Sequence, residues 1–215
     1  YAFSGPKYLL RYIYIQYSKL ETLINNDDSP IIQLTKKVPD YDYIFFQVEY
    51  HNYKNHDETM MLNKFRSKVI RALKDEFGDN FIGGIWSKGA IDAVYYDCRS
   101  DYMDKDTYLS LMNNATVVIS TNGFGDSIPW KLAEYLKSGK CIVSQKLQHE
   151  LPQPLVDGFH LKTFHDLDQC IEICRDLLKN RTKTRELGDN ARVYYNQYIN
   201  PKIVINKFIN QSINS

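Results

Sequence analysis

The chain has 215 residues, of which 43% are hydrophobic, and its 27 Lys and Arg residues nearly balance its 26 Asp and Glu residues. A balanced charge with no long block of either sign argues against a general nucleic-acid binder. No apolar run of about 20 residues is present to span a bilayer, and the first residues lack the layout of a signal peptide. We therefore expect a cytoplasmic protein, with the inner face of the plasma membrane as an alternative location.

An aromatic-rich helix is predicted for residues 7–24, and the polar segment 25–30 ends it. Because Lys7, Arg11 and Lys19 stand beside tyrosines, a peripheral membrane contact is one interpretation of this helix. Packing against a further domain is the other interpretation, and we favour it. We assign residues 1–40 to this helix and to a connection to a missing domain.

Strands and helices alternate after this region. Tyr43–Glu49 is predicted as a first strand, and Asp57–Phe77 as an amphipathic helix that ends at Gly78. Phe81–Trp86 is predicted as a second strand, although its two glycines weaken the pattern. A short helix is expected at Tyr108–Met112.

The second half of the chain continues the alternation. The β-branched run Thr116–Ser120 predicts a buried parallel strand. Further elements are predicted in the order of a strand at 141–144, an apolar stretch at 159–164, and helices at 166–178, at 184–198 and from Pro201, with Asn200 as the cap of the last. The sequence thus predicts an α/β fold, a Rossmann-like parallel sheet flanked by helices. We expect one domain at residues 41–199 and a carboxy-terminal helix at 200–215.

The cysteines have neither Cys-x-x-Cys spacing nor the density of a disulfide scaffold: Cys98, Cys141, Cys170 and Cys174. Cys170 and Cys174 lie one helical turn apart on an apolar stripe, so we expect them to be buried apolar side chains. His51 and His56 lack a third ligand at a suitable spacing. No metal is expected.

The segment Asn122–Ser144, NGFGDSIPWKLAEYLKSGKCIVS, joins a glycine-broken loop, a short helix and a buried strand. Gly123 and Gly125 are expected to turn the loop with positive φ and to let the backbone approach a ligand. Ser127 is expected to cap the helix, and Pro129 to lie in its first turn. Since the loop leaves the carboxyl end of a parallel strand, its free N–H groups predict an anion site.

The helix in this segment has two predicted faces. One is an apolar stripe of Leu132, Ala133 and Leu136, and the other carries polar groups three and four residues apart: Lys131, Glu134 and Tyr135. We expect the first face to pack and the second to bind. An ordinary surface pair between Lys131 and Glu134 is the alternative.

This segment resembles the nucleotide-sugar-binding half of GT-B glycosyltransferases, in particular the group 1 (family 4-like) enzymes of bacterial capsule and O-antigen synthesis. The resemblance rests on Asp126, on Glu134 eight positions later, and on the following Gly-Lys-x-Val-type strand entry at 139–143. The closing segment 186–192, ELGDNAR, also matches. This chain departs from the family at the first acid, since the Gly-Phe-Gly run precedes Asp126 instead of following it.

The resemblance implies that Glu134 accepts hydrogen bonds from ribose hydroxyls, while Asp126 and adjacent backbone amides address the donor sugar and its diphosphate. The substrate would be a nucleotide-sugar such as a UDP- or GDP-sugar, with no resident cofactor. The helix amino terminus, the loop amides and Lys131 would stabilise the charge that develops on the departing diphosphate. Lys54, in the loop after the first strand, is a further candidate for the diphosphate, and Arg66 is a weaker one. A solvated loop lysine is the alternative for Lys54.

The acceptor expected from the resemblance is a saccharide or a lipid-linked molecule. Because the chain opens on Tyr1 and the resemblance begins near Tyr43, we expect a carboxy-terminal fragment. The acceptor and the catalytic base would then come largely from a missing amino-terminal domain, and the fragment alone would bind donor but transfer little sugar.

Two other classes stay open. Tyr50 and Lys54 fit the Tyr-x-x-x-Lys spacing of a short-chain dehydrogenase or a nucleotide-sugar epimerase, although no Gly-x-Gly-x-x-Gly follows the first strand. The other class is a non-catalytic interaction or regulatory module with the same fold.

Overall fold

The structure is a computed structural model, and it describes residues 39–51, 57–149, 151 and 153–213, with the side chains of 207, 208 and 210–213 excluded. The predicted helix at residues 7–24 and the candidate Lys54 lie outside the described residues. The domain boundaries at residues 40 and 199 stay predictions.

The core of the fold is one parallel sheet of five strands in the order β2-β1-β3-β4-β5. The strands are β1 (Ile44–Glu49), β2 (Phe81–Trp86), β3 (Val117–Ser120), β4 (Cys141–Gln145) and β5 (Lys162–Phe164). The chain adds β2 on one side of β1 and then crosses to add β3 on the other. Ligands bind at such a switch point in open α/β sheets, outside the carboxyl ends of the strands.

Helices cover both faces of this sheet. They are α1 (Asp57–Phe77), α2 (Lys105–Asn114), α3 (Trp130–Lys137), α4 (Leu167–Lys179), α5 (Arg181–Tyr194) and α6 (Pro201–Ile213). Residues of α1 and α4 share one hydrophobic cluster with one face of the sheet, and residues of α2, α3 and α5 share a second cluster with the opposite face. The predicted Rossmann-like α/β fold is confirmed.

The central strand β1 shows why the sheet is buried on both faces. Ile44, Phe46 and Val48 join the cluster under α1, while Tyr43 and Phe45 join the cluster under α2 and α3. Successive side chains of a strand point to opposite faces, so an unbroken apolar run fills both layers. The predicted strand at Tyr43–Glu49 differs from the observed one by a single residue.

The glycines that weakened the prediction of β2 are required by its packing. Gly83 has a φ of +153°, and a Cβ built on it would lie 1.9 Å from the carbonyl oxygen of Phe46 on the neighbouring strand. A Cβ on Gly84 would lie 2.7 Å from the carbonyl oxygen of Cys98. The two glycines therefore mark a close approach between backbones.

The carboxy-terminal helices pack onto the end of α3 and the start of β4. A Cβ on Gly188 of α5 would lie 2.3 Å from the carbonyl oxygen of Gly139, so glycine lets the helix approach this turn. The helix predicted at Thr184–Tyr198 starts three residues earlier and continues into a π-helical turn at Tyr195–Ile199. The predicted cap of α6 is confirmed, because the backbone N–H of Lys202 donates to Oδ1 of Asn200 at 3.0 Å.

All four cysteines are buried and carry free thiols, as predicted for Cys170 and Cys174. Among the helices that the structure describes, none combines the length and the apolar character needed to cross a membrane.

Candidate functional site

A cleft of about 700 Å³ opens at the carboxyl ends of β1, β2 and β3. Gln47 and Glu49 of β1 and Ser120 of β3 contribute to its floor, and Lys131 and Glu134 of α3 contribute to its wall. The cleft therefore lies at the point where the strand order reverses, which is the position that the topology favours for a ligand.

The loop between β3 and α3 differs in detail from the expectation. Gly125 has the expected positive φ of +59°, but Gly123 is extended, with a φ of −84°. A Cβ at Gly123 would lie 2.5 Å from Oγ of Ser127, so a larger residue there would require that hydroxyl to move. The backbone N–H of Gly123 donates to the carbonyl oxygen of Ser127 at 2.7 Å, which closes the loop on itself.

The start of α3 corrects two further expectations. The helix begins at Trp130, and Pro129 is its extended N-cap, with a ψ of 137°, so it does not lie in the first turn. No side chain caps the helix, and Ser127 stands two residues before the N-cap with its hydroxyl against Gly123. The first amides of the helix, at Trp130 and Lys131, have no acceptor one turn earlier within the helix.

The structure brings only part of the predicted site together. Gly123, Ser127, Lys131 and Glu134 line the cleft. Gly125 and Asp126 do not line it, and the side chain of Asp126 is exposed. Asp126 also has a φ of +56°, the only positive φ of a residue other than glycine within the described segments. A positive φ is uncommon for residues other than glycine, although Asp adopts it more often than most.

The side chain of Lys131 is held by a backbone carbonyl and by an aromatic ring. Its Nζ donates to the carbonyl oxygen of Gln47 and lies 4.9 Å from the centroid of the Tyr108 ring. Burial lowers the pKa of Lys131 to about 8, while the nearby charge of Glu134 raises it. A ligand anion would stabilise the charged ammonium in this position, because the present environment disfavours its charge.

Glu134 places a buried carboxylate oxygen beside the cleft. Within the part of the chain that the structure describes, this Oε2 has no hydrogen-bond partner. Burial raises the pKa of Glu134 to about 7, and the charges of Lys131, Lys105 and Lys137 oppose that rise. Since buried polar atoms are almost always satisfied, an unpartnered carboxylate oxygen beside a cleft is suited to accept from a ligand hydroxyl.

Tyr135 corrects the predicted division of α3 into two faces. It was expected beside Lys131 and Glu134, but its side chain is fully buried in the core with Leu132 and Leu136. These three residues have the i, i+3, i+4 spacing of a packed stripe. Ala133, which was expected in that stripe, lines the cleft instead.

Arg66 has more prominence in the structure than the sequence suggested. Its side chain is only 8% exposed, and its guanidinium donates to Oγ1 of Thr121 at 3.3 Å and to the carbonyl oxygen of Asn122 at 3.5 Å. Burial lowers the pKa of Arg66 to about 10. Among the described residues no carboxylate pairs with it.

The signal for Arg66 was present in the helix pattern. Position 66 lies three and four residues before Val69 and Ile70, which face the core of the sheet. A charged residue on the packed face of an amphipathic helix points to a partner that the helix itself does not supply.

Of the Tyr-x-x-x-Lys motif that suggested a dehydrogenase, the structure describes only Tyr50, and the environment of Tyr50 does not support that role. The hydroxyl of Tyr50 donates to Oδ2 of Asp92 at 2.7 Å. Burial, together with this hydrogen bond, raises the pKa of Tyr50 to about 12. A catalytic tyrosine base needs the opposite shift.

A family model described as "Glycosyl transferase-like" matches residues 66–207, about two thirds of the chain. A search of curated proteins found no match.

Two solved structures of TarM have a similar fold. A crystal structure of TarM is 13% identical, with a TM-score of 0.52 over 90% of this chain. A mutant of S. aureus TarM in complex with fondaparinux, alpha-GlcNAc-glycerol and UDP is 14% identical, with a TM-score of 0.53 over 90% of this chain. The chain spans 41% and 42% of those two proteins. It belongs to the glycosyl transferase-like family and has the Rossmann-like fold of GT-B glycosyltransferases.

Proposed function

We propose that this chain binds the nucleotide-sugar donor of a glycosyltransferase, and that the cleft between β1, β3 and α3 is the donor site. The observation that carries this proposal is the set of buried and partly buried charges in that one cleft. Among the residues that the structure describes, Arg66 and Lys131 have no carboxylate partner, and Oε2 of Glu134 has no donor.

The two cations suit a diphosphate. Burial lowers the pKa of both Arg66 and Lys131, so each charge is costly in the empty cleft. The charge of Arg66 also contributes to the lowered pKa of Lys131, which means that the two cations lie close enough to repel each other. A doubly charged phosphate group between them would relieve both costs and would form charge-assisted hydrogen bonds. The first amides of α3 add further donors on the same side.

Glu134 suits the ribose. A carboxylate that accepts hydrogen bonds from two vicinal hydroxyls commonly orients a nucleoside. The resemblance to group 1 glycosyltransferases implies this role for Glu134. Glu134 follows Lys131 by three residues on one helix, so a diphosphate on Lys131 would place an attached pentose within reach of Glu134.

The exposed loop is assigned to the sugar. Gly125 and Asp126 lie next to the cleft-lining residues Phe124 and Ser127, and consecutive positive φ angles turn their backbone away from the rest of the loop. We propose that Asp126 contacts the donor sugar from the rim of the cleft. Lys54, which lies outside the described residues, remains a proposed diphosphate ligand.

The reaction proposed for the whole protein is transfer of a sugar from this donor to a saccharide or lipid-linked acceptor, in capsule or O-antigen polysaccharide synthesis. UDP and a glycosylated glycerol in the TarM complex support the substrate class, since this chain shares the TarM fold. The acceptor would bind across the cleft on a further domain. No resident cofactor or metal takes part in this proposal.

Calorimetric titration of the 215-residue chain with UDP, GDP, ADP, CMP and NAD tests the proposal. Saturable binding of one nucleoside diphosphate, with weaker binding of the others, supports a donor site and names its base. Preference for NAD would instead support a dehydrogenase or an epimerase. Absence of binding to all five would favour a non-catalytic module and overturn the proposal.

A further inference from the structure

Lys131 and Glu134 do not form the ion pair that their positions favour. They lie three residues apart on α3, and residues at that spacing are neighbours on a helix surface. Both line the same cleft, and the charge of each influences the pKa of the other. Attraction between opposite charges is stronger in such a partly buried site than in water. The four ion pairs among the described residues nevertheless do not include them.

Two groups draw the ammonium of Lys131 elsewhere. The carbonyl oxygen of Gln47 accepts a hydrogen bond from Nζ, and the aromatic ring of Tyr108 lies 4.9 Å from it. A cation over a ring face at this distance is attracted by the electron density of the ring. The ring of Trp130 is farther away, at 5.8 Å, and that side chain is about half exposed, which weakens its effect.

Tyr108 is itself fixed in place. Its ring meets the ring of Phe45 edge to face, with the centroids 5.3 Å apart. The helix that carries it is capped one turn earlier, where the backbone N–H of Thr107 donates to Oδ1 of Asp104 at 2.8 Å. The partly buried ring is therefore held by its packing on Phe45 and by its capped helix, with its face toward Lys131.

We infer that Tyr108 is a positioning residue that holds Lys131 away from Glu134, so that the cation and the carboxylate both remain available to the nucleotide. Without the ring, the ammonium would turn to the carboxylate, and each would satisfy the other. The diphosphate and the ribose would then have to break an ion pair before they bound. This inference rests on the proposed donor site, because it assigns the two charges to two parts of one ligand.

Three substitutions of Tyr108 separate the effect of the ring from other changes. Tyr108→Phe keeps the ring and removes only the hydroxyl. Tyr108→Leu and Tyr108→Met remove the aromatic face, and Met fills more of the volume if Leu leaves the chain unfolded. Inorganic pyrophosphate is the first probe, since it reports on the cations without a ribose, and UDP is the second.

We expect Tyr108→Leu and Tyr108→Met to bind both probes about ten-fold more weakly than the unmodified chain, and Tyr108→Phe to stay within about two-fold of it. The decisive measurement is the double variant. Adding Glu134→Gln to Tyr108→Leu removes the carboxylate that would capture Lys131, so pyrophosphate affinity should recover at least five-fold relative to Tyr108→Leu alone. Glu134→Gln alone removes the same negative charge from the cleft, so a merely structural role for Tyr108 predicts an equal gain in the presence and in the absence of the ring.

The outcomes distinguish this inference from the proposed function. If the unmodified chain binds neither pyrophosphate nor UDP, the donor site itself is wrong. If it binds them and the variants without the ring bind equally well, or if Glu134→Gln restores nothing, the donor site stands and the role of Tyr108 is wrong. Thermal unfolding of every variant shows whether a loss of binding reflects loss of the fold.

Discussion

The Nε of Arg66 donates to Oγ1 of Thr121 at 3.3 Å, and this bond joins the buried face of α1 to the residue that follows β3. The guanidinium thus links α1 to the loop after β3, and both acceptors that it contacts there, on Thr121 and Asn122, are neutral. A neutral acceptor compensates less of the desolvation free energy of a cation than a carboxylate does. Part of the desolvation free energy of Arg66 therefore stays uncompensated until an anion binds.

Arg66→Met should weaken UDP binding by about 10- to 100-fold, because hydrogen bonds to charged groups contribute about 1.5–3 kcal/mol. The same change should leave the free energy of unfolding equal or higher, since an apolar side chain replaces a buried cation. Calorimetry and urea unfolding measure the two effects. Lys68→Met, which removes an exposed cation from the same helix, should change neither. Unaltered affinity in Arg66→Met would remove Arg66 from the proposed site.

Glu134→Ala should weaken UDP binding by roughly 1.5–3 kcal/mol, because a charged acceptor of ribose hydroxyls is lost. The loss should be much smaller for 2′,3′-dideoxy-UDP, which lacks those hydroxyls. Glu172→Ala, at an exposed position on α4, is the matched control and should bind both nucleotides normally. Equal losses for the two nucleotides would show that Glu134 acts on something other than ribose.

Glu134 also makes stability depend on pH. Its pKa is raised from 4.5 to about 7 by burial, so between these values the folded state holds a proton that the unfolded state has released. The free energy of unfolding should therefore fall as pH rises from about 4.5 to 7. Glu134→Gln should remove that decrease and should be more stable by roughly 1–3 kcal/mol at pH 8. Urea unfolding at a series of pH values measures it, and parallel curves for the two proteins would contradict it.

Lys131 sets the alkaline limit of binding. Its pKa is lowered to about 8, so the ammonium loses its proton as pH rises through that value, and affinity for a diphosphate should fall above it. Titrations with pyrophosphate between pH 7 and 10 test this. Lys131→Arg keeps its charge throughout that range and should show a flatter profile, whatever its affinity at pH 7. A decline of the same size in both proteins would assign the effect to another group.

Gly188→Ala should destabilise the fold by roughly 1–3 kcal/mol, because the new methyl group would overlap the carbonyl of Gly139 and push α5 away from the turn. Gly89→Ala is the control, since a Cβ there has no heavy atom within 4 Å. Chemical denaturation compares the two. Equal denaturation midpoints for the two variants would mean that the turn at Gly139 accommodates the methyl group without loss of stability.

The sequence predicted most of the sheet because hydrophobic periodicity is a local property. The helix at Asp57–Phe77 and the strand at Phe81–Trp86 were predicted with the observed bounds. The reason for the glycines in that strand could not be predicted, since it depends on a backbone that is distant in the chain. The close approach of Gly83 to Phe46 exists only once the strands pair.

The site was predicted in part for a related reason. Helical spacing placed Lys131 and Glu134 on one side of α3, and the structure has them in one cleft. Spacing could not show that Arg66 from a different helix would meet them, nor that the left-handed turn would leave Asp126 outside. Ser127 and Pro129 were misassigned because an extended proline can end a loop as well as begin a helix.

The reaction rates of the four buried thiols can report on local unfolding of the chain. A soluble aromatic disulfide can react with Cys98, Cys141, Cys170 or Cys174 only when local or global unfolding exposes the sulfur, so the rate of colour release measures how often that happens. Cys98 lies under α1, whereas Cys170 and Cys174 lie on α4, and single-cysteine variants would report on the two helices separately. A nucleotide that tightens the cleft would slow the first reaction more than the second, and no dye has to be attached to the protein beforehand.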